Sequence, residues 1–403
     1  MNMRLAVSAA LAAALAAGWA VAAVLLWHSS VPALHLAHLD PGDYFSAQDL
    51  HDAASYSRGA RWLWVLTTIA QLGALAVFAR FGVRWARESA AGRMGTGMLL
   101  GMLGFALVWA VQLPFTVLAV WWARHSGLWT ESYLTVTLGN WLALGGKFTF
   151  LCLALAIVMG LAGKVGDWWW LPAAPCFVGL ALLFSFVTPY LLRGQRLDSP
   201  QLRAATVRLE RIEHVQHVPV KVVTGMNEPN AVATGLGPSR RVFLWDTIVE
   251  PPFTHRQVEV VIAHELGHLA HGHIWRNVGW YALFAFPGAF LLAAGTRRRG
   301  GMREPVAVPL SLFLLVVLNL AAQPLQNVVT RHMEAEADWS ALRATRDPKA
   351  ATGLFEQFVP ATLMEPDPPT WDYVLLENHP TIMQRLAMVQ AWRRYAASDA
   401  QSP

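Results

Sequence analysis

The stretch VVIAHELGHLAHGHIW, Val260 to Trp275, sets four histidines and a glutamate in an otherwise apolar run. His264 and His268 are four apart, so on a helix they project from one face a turn apart and can close on a single ion. Glu265 lies about 100° round the helix axis, beside such an ion rather than on it. Zinc held by three protein ligands keeps one position for water and lowers its pKa to about 7. A neighbouring carboxylate can take the proton as that water attacks a carbonyl. Gly267 leaves room on the same face for a second backbone. The third ligand must come from elsewhere: a site of the HExxHxxGxxH kind needs Gly at 271 and His at 274, where this chain has His271 and Ile274. His271, a further turn along, reads as a side chain near the site or at a membrane interface.

Downstream, VVTRHMEAEADWSALRA, Val328 to Ala344, has helical spacing and three carboxylates, Glu334, Glu336 and Asp338. A helix packed beside the first can present Glu334 to the ion. Asp338, one turn on, then faces the same way and can accept the spare N–H of a metal-bound histidine, fixing its ring. The plainer alternative is a solvated helix with acidic residues near its positive end.

Both motifs sit in a chain that water alone cannot hold. The 403 residues are 55% hydrophobic and 14% charged, with a mean hydropathy of +0.36, more apolar than a soluble domain can hide. Seven runs are long and apolar enough to cross a hydrocarbon core of about 30 Å: 5–27, 61–79, 97–122, 147–162, 168–191, 278–295 and 305–326. A cleaved signal peptide competes for the first run, whose length favours retention. Cys152 and Cys176 both fall in apolar runs, which excludes a disulfide framework or a cysteine zinc site. The net charge of +5 comes almost wholly from arginines that bracket the runs as membrane anchors, so no nucleic-acid footprint is read.

Four regions follow: an N-terminal membrane region, 1–191, with five spans; a polar block, 192–277, ending in the histidine motif; two further spans, 278–326; and a C-terminal block, 327–403, carrying the acidic motif. In the first block, Leu202, Val207, Leu209 and Ile212 suit an amphipathic helix capped by Ser199, and VPVKVVTGMNEPNAVATG and RRVFLWDTIV read as short strands. The expected fold is mainly α, a polytopic membrane protein with about seven spans and a small α+β unit. Arg80, Arg84, Arg87 and Arg93 follow the second run and Arg297, Arg298, Arg299 and Arg303 the sixth. On seven spans these loops lie opposite the polar blocks, which charge alone places outside the cytoplasm. Arg193, Arg196, Arg203, Arg276 and Arg331, near the blocks' own membrane ends, offset that asymmetry.

VIAHELGHLAHGH, TRHMEAEAD, PNAVATG and NHPTIMQRL, in an order that spans roughly 110–395, resemble the type I CAAX prenyl proteases and their shorter relatives, the HtpX-type heat-shock proteases. The resemblance implies a gluzincin-type unit with one Zn2+ per chain on His264, His268 and Glu334, and Glu265 as general base. It implies that Asp338, Arg331 and Arg385 support these ligands, and that His379 steadies the tetrahedral intermediate. Asn230, Ala231 and Gly235 match an edge strand that pairs with substrate backbone. Bare residue context reads His379 as a loop histidine before Pro380 and Asn230 as a turn residue after Pro229. The segment LPFTVLAVWWARHSGLWTES, with Arg124, Gly127 and Leu128, is similar to the CAAX group, whereas the ATG ending at Gly235 is closer to the HtpX group. His35 and His38 fit neither pattern and read as surface residues.

The function so implied is an integral-membrane zinc metalloendopeptidase, with a helix-walled chamber and peptide or membrane-protein substrates met in the bilayer. An HtpX-like quality-control protease is the alternative, and a non-catalytic membrane protein with a relic metal site the different-class one. The arginine and alanine content suggests a GC-rich, bacterial genome, hence the plasma (inner) membrane, where prenylated substrates are not expected. The resemblance favours a cytoplasmic site.

Overall fold

The computed structural model describes residues 13, 16–85 and 91–399 of the chain. Of the first apolar run, α1 (Ala16–Leu26) is described; residues 5–12, 14 and 15, and Arg87, lie outside the described residues. Six helices among them are long and apolar enough to cross a membrane: α2 (Ala47–Phe81), α3 (Gly92–His125), α4 (Tyr133–Val165), α5 (Trp170–Leu191), α9 (His273–Thr296) and α10 (Val308–Thr345). The architecture is therefore mainly α and polytopic, with a small sheet, as expected. The fourth span is longer than its apolar run: Ser132 caps α4 by accepting from Thr135 N–H, so the helix starts well before 147. Leu202 and Leu209 of α6 (Pro200–Ile212) are buried, but Val207 and Ile212 are 39% and 46% exposed, which narrows its apolar face to part of that expected.

Helix α10 positions the acidic motif. Its 38 residues reach about 57 Å at 1.5 Å per residue, far beyond a hydrocarbon core of about 30 Å. One unbroken helix thus crosses the membrane and carries Glu334, Glu336 and Asp338 past the apolar run ending at 326. Beside that last stretch lies α8 (His255–Ala270), whose start is fixed by a reciprocal cap between Thr254 and Gln257. Gly272, at φ +65°, breaks the chain between α8 and α9.

Helices α8 and α10 meet through Gly267. A β-carbon there would stand 3.1 Å from Ser340 Cβ and 3.4 Å from the Ala337 backbone, so glycine sets the close approach that faces the histidines with Glu334. The remaining helices are the one-turn α7 (Asp246–Val249), α11 (Pro348–Thr362), α12 (Thr370–Leu375) and α13 (Ile382–Asp399). Residues from α6, α8, the sheet, the end of α10, α11 and α13 share one apolar core.

The sheet holds β1 (Gln195–Arg196), β2 (Val220–Val223), β3 (Ala231–Thr234) and β4 (Arg241–Trp245) in the order β1-β2-β4-β3. β2 runs parallel to β4, and β3 antiparallel to it. β3 is thus an edge strand, and it packs against α8.

Candidate active site

His264, His268 and Glu334 each offer an atom to one point, all within 4.8 Å of one another. Nε2 of His264 lies 3.0 Å from Nε2 of His268, and 3.2 Å from Glu334 Oε2. The second imidazole stands 3.5 Å from Glu334 Oε1. Although Oε2 is close to two imidazoles, it is buried and makes no hydrogen bond of acceptable geometry. Such an orphaned anionic oxygen, aimed with two nitrogens at one point, fits a tetrahedral cation such as zinc.

Each histidine is held from behind. His264 donates from Nδ1 to Asp338 at 2.9 Å, and Arg385 grips both oxygens of Asp338 at 2.8 and 2.6 Å. Burial opposes charge on His264, but Asp338 and Glu334 outweigh it and raise the imidazole to about 10 in the metal-free protein.

Behind His268 the order of partners fixes the tautomer. Glu336 is an acceptor only, 3.0 Å from His273 Nε2, so that nitrogen carries the proton and His273 Nδ1 accepts. His268 then donates from Nδ1 across 2.8 Å, which leaves its Nε2 lone pair facing Glu334. Arg276 donates to Glu336 at 2.5 Å and to Leu26 O at 3.2 Å, and Ser30 N–H donates to the same carboxylate at 2.5 Å. The turn after α1 therefore closes the back of the site.

The sequence-predicted residues are not all equally near. Glu265 is buried on α8 next to His264. His379, 47% exposed, brings Nε2 to 3.2 Å from Glu334 Oε2 and is steered by Asn378, whose Oδ1 is 2.7 Å from its Nδ1. Arg385 reaches Asp338, but Arg331 does not. Its guanidinium donates to Tyr373 O at 2.7 Å and to Glu377 O, and stacks 4.1 Å over the Tyr373 ring. Arg331 so anchors the segment that leads to His379.

On the edge strand, Trp245 N–H donates to Asn230 O at 3.0 Å. By antiparallel alternation the main-chain groups of Ala231 and Ala233 then face the open edge. The Asn230 side chain accepts from Ala231 N–H at 2.7 Å. Gly235, at φ +98°, turns the chain out of β3, and a β-carbon there would lie 2.4 Å from Ser239 O.

His273, Glu336 and Arg276 escaped the sequence reading as site residues. His271 is 3.6 Å from Glu336 and 3.2 Å from Ser340 Oγ, away from the three ligand atoms. His35 and His38 are exposed, as expected.

Residues 196–393 match the model of peptidase family M48. The chain is 24% identical over 377 residues to the uncharacterized metalloprotease YhfN of Bacillus subtilis, covering 86% of this chain and 87% of that protein. It is 26% identical over 268 residues to a protease HtpX homolog of Kineococcus radiotolerans, covering 60% of this chain and 87% of the relative. The fold is similar to the crystal structure of S. mikatae Ste24p, with a TM-score of 0.72 over 93% of this chain and 96% of that one, at 18% identity. Taken with the HELGH helix and its facing glutamate, these likenesses place residues 196–393 in peptidase family M48, and the chain is an integral-membrane metalloprotease.

Proposed function

We propose that His264, His268 and Glu334 hold one zinc ion and that the protein cleaves peptide bonds of membrane-associated substrates beside it. The single observation that supports this most is Glu334 Oε2, buried without a hydrogen bond and 3.2 Å from His264 Nε2. Zinc, when bound, supplies Lewis acidity, polarising a carbonyl and lowering the pKa of a water to about 7.

The chain's own groups do the rest. Asp338, backed by Arg385, and His273, backed by Glu336, keep the two Nε2 lone pairs directed at Glu334. Glu265 takes a proton from the attacking water and returns it to the leaving amide nitrogen. With its Nδ1–H held by Asn378 Oδ1, His379 donates from Nε2 in its doubly protonated form toward the carbonyl oxygen as negative charge grows there. An extended substrate pairs with the open edge of β3 at Ala231 and Ala233, displacing the Asn230 side chain from Ala231 N–H. Pairing through main chain gives affinity without reading sequence, which suits broad cleavage. That feature also favours a second reading, the membrane-protein quality control that the resemblance to HtpX-type proteases implies. The bilayer would be the bacterial plasma membrane.

The test is cleavage-site mapping on a peptide library with wild type and Glu265→Gln. Metal-dependent cuts absent from the variant support the reading; equal cutting by both, or by chelated wild type, overturns it. Proteomics of a Glu265→Gln strain then separates the roles: many accumulating membrane proteins mark quality control, one or a few mark processing.

A further inference from the structure

His379 stands near the end of a stretch, 363–381, that leaves α11 at Leu363, φ +53°, and is helical only through the short α12. Its side chain is 47% exposed, so its place depends on the chain that leads to it. Two membrane-spanning helices hold that chain. From α10, Arg331 donates to Tyr373 O and Glu377 O, and Asn327 Nδ2 donates to Val374 O at 3.2 Å. From α2, Ser57 Oγ donates to Leu363 O at 3.3 Å, and Arg61 Nη1 donates to Glu365 Oε2 at 2.6 Å and to Asp372 Oδ2 at 2.9 Å.

Arg61 opens the apolar run 61–79. A charge within a span is costly and turns inward to a partner where it occurs. Arg61 does so: its side chain is 12% exposed, whereas Trp62 beside it is 63% exposed. The Asp372 carboxylate it meets is buried, so salt and water screen the pair little. The turn of α2 that carries Arg61 is itself braced by α3. Trp122 Nε1 donates to Tyr56 O at 3.1 Å, and a β-carbon on Gly59 would stand 2.5 Å from the same indole.

Asp372 converts that grip into a position for His379. Its side chain takes Arg61, while its main-chain oxygen accepts from Leu376 N–H at 2.7 Å and Glu377 N–H at 3.3 Å. This closes the turn from which Asn378 and His379 emerge. Asn378 Oδ1 holds His379 Nδ1 at 2.7 Å, and His379 Nε2 stands 3.2 Å from Glu334 Oε2. The carboxylates that Arg61 grips are not among the candidate ligands.

We propose that Arg61 is a positioning residue for the peptidase step: from a membrane span it fixes, through Asp372, the turn that aims His379 Nε2 at the developing oxyanion. The effect on rate rests on the oxyanion role proposed for His379. Loss of the guanidinium leaves Asp372 buried beside Glu365 without this cation, so the turn relaxes and His379 moves with it. A displacement of about 1 Å can cost about 10²-fold, and the loss is bounded by the roughly 10²–10³-fold that follows removal of the donor itself.

The test is a double-variant cycle on the full-length, zinc-loaded protein, read by steady-state kinetics and metal analysis. Arg61→Met should lower kcat about 10–100-fold, with KM and zinc content little changed. In a His379→Ala background the same substitution should add little, because a residue that acts only through His379 has nothing left to act on. Both carboxylates meet one nitrogen, so Arg61→Lys, whose ammonium donates in several directions, should keep more of the rate than Arg61→Met. Arg58→Met, exposed on the same helix, should leave the kinetics unchanged. Should Arg61→Met fail to accumulate, Asp372→Asn runs the same cycle. Hydrogen exchange reads the turn without the chemistry: the amides of Leu376 and Glu377 should exchange faster in Arg61→Met or Asp372→Asn than in wild type or Arg58→Met. Unchanged exchange, losses that multiply in the double variant, a fall in zinc content matching that in kcat, or a Lys variant no better than Met overturns the proposal. An unchanged kcat in His379→Ala alone overturns the oxyanion reading, and with it any effect of Arg61 on rate.

Discussion

Replacing Glu336 by Gln should loosen the metal without removing a ligand. The Glu336 side chain is 2% exposed and holds His273 at 3.0 Å and Arg276 at 2.5 Å. Gln keeps the volume but carries an amide that both donates and accepts, so it no longer fixes the proton on His273 Nε2. His273 Nδ1 then ceases to be a fixed acceptor for His268, and the His268 Nε2 lone pair is lost for part of the time. Losing a partner that orients a ligand typically costs 10–100-fold in metal affinity, about 1.4–2.8 kcal/mol at 1.4 kcal/mol per tenfold. Competition against a zinc chelator reads this directly. A companion pair separates orientation from packing: His273→Asn keeps an oxygen able to accept from His268 and should retain more affinity than His273→Phe. Melting of the metal-free forms controls for Arg276, which retains Leu26 O and His28 O when its carboxylate is gone. Unchanged zinc affinity in Glu336→Gln, or equal losses in the two His273 variants, would refute the tautomer argument.

Three further outcomes are expected. His379→Ala should lower kcat by about 10²–10³-fold, as loss of one oxyanion donor does, with zinc content unchanged; steady-state kinetics beside metal analysis checks both. Arg331→Met should cut kcat while zinc binding holds, since Arg331 anchors the Tyr373 to Glu377 segment and not a ligand; an equal loss of zinc would show that it supports the metal after all. Zinc uptake should release a proton, because His264, raised to about 10 in the metal-free protein, is protonated near neutrality. Affinity should therefore strengthen as pH rises from about 6.5 toward 10, each site proton lost costing less. Titrations across that range test the sign.

Much of the site is legible because its chemistry is written in local spacing. HELGH fixes two imidazoles on one helical face, and Glu334 and Asp338 are again one turn apart. The apolar runs locate the spans for the same reason, that crossing lipid takes a length of about 20 residues. What escapes depends on packing between distant segments. Glu336 sits two residues past Glu334, about 200° round the axis, so it points away from the ligands; only the seating of α9 and the turn after α1 gives it partners. Arg331 likewise belongs to the acidic motif by sequence, but Tyr373 and Glu377 claim it. The early start of α4 was hidden because TVTLGN is less apolar than the run that follows, while the Ser132 cap and the span behind it carry the helix through.

Zinc content and the zinc-edge X-ray absorption spectrum of the purified chain test the central claim most directly. One zinc per wild-type chain, ringed by two imidazoles with oxygen donors at about 2.0–2.2 Å, and a metal readily stripped from Glu334→Gln by chelator, is the expected result. A third imidazole in the shell, or a spectrum and retention unchanged in Glu334→Gln, would contradict it.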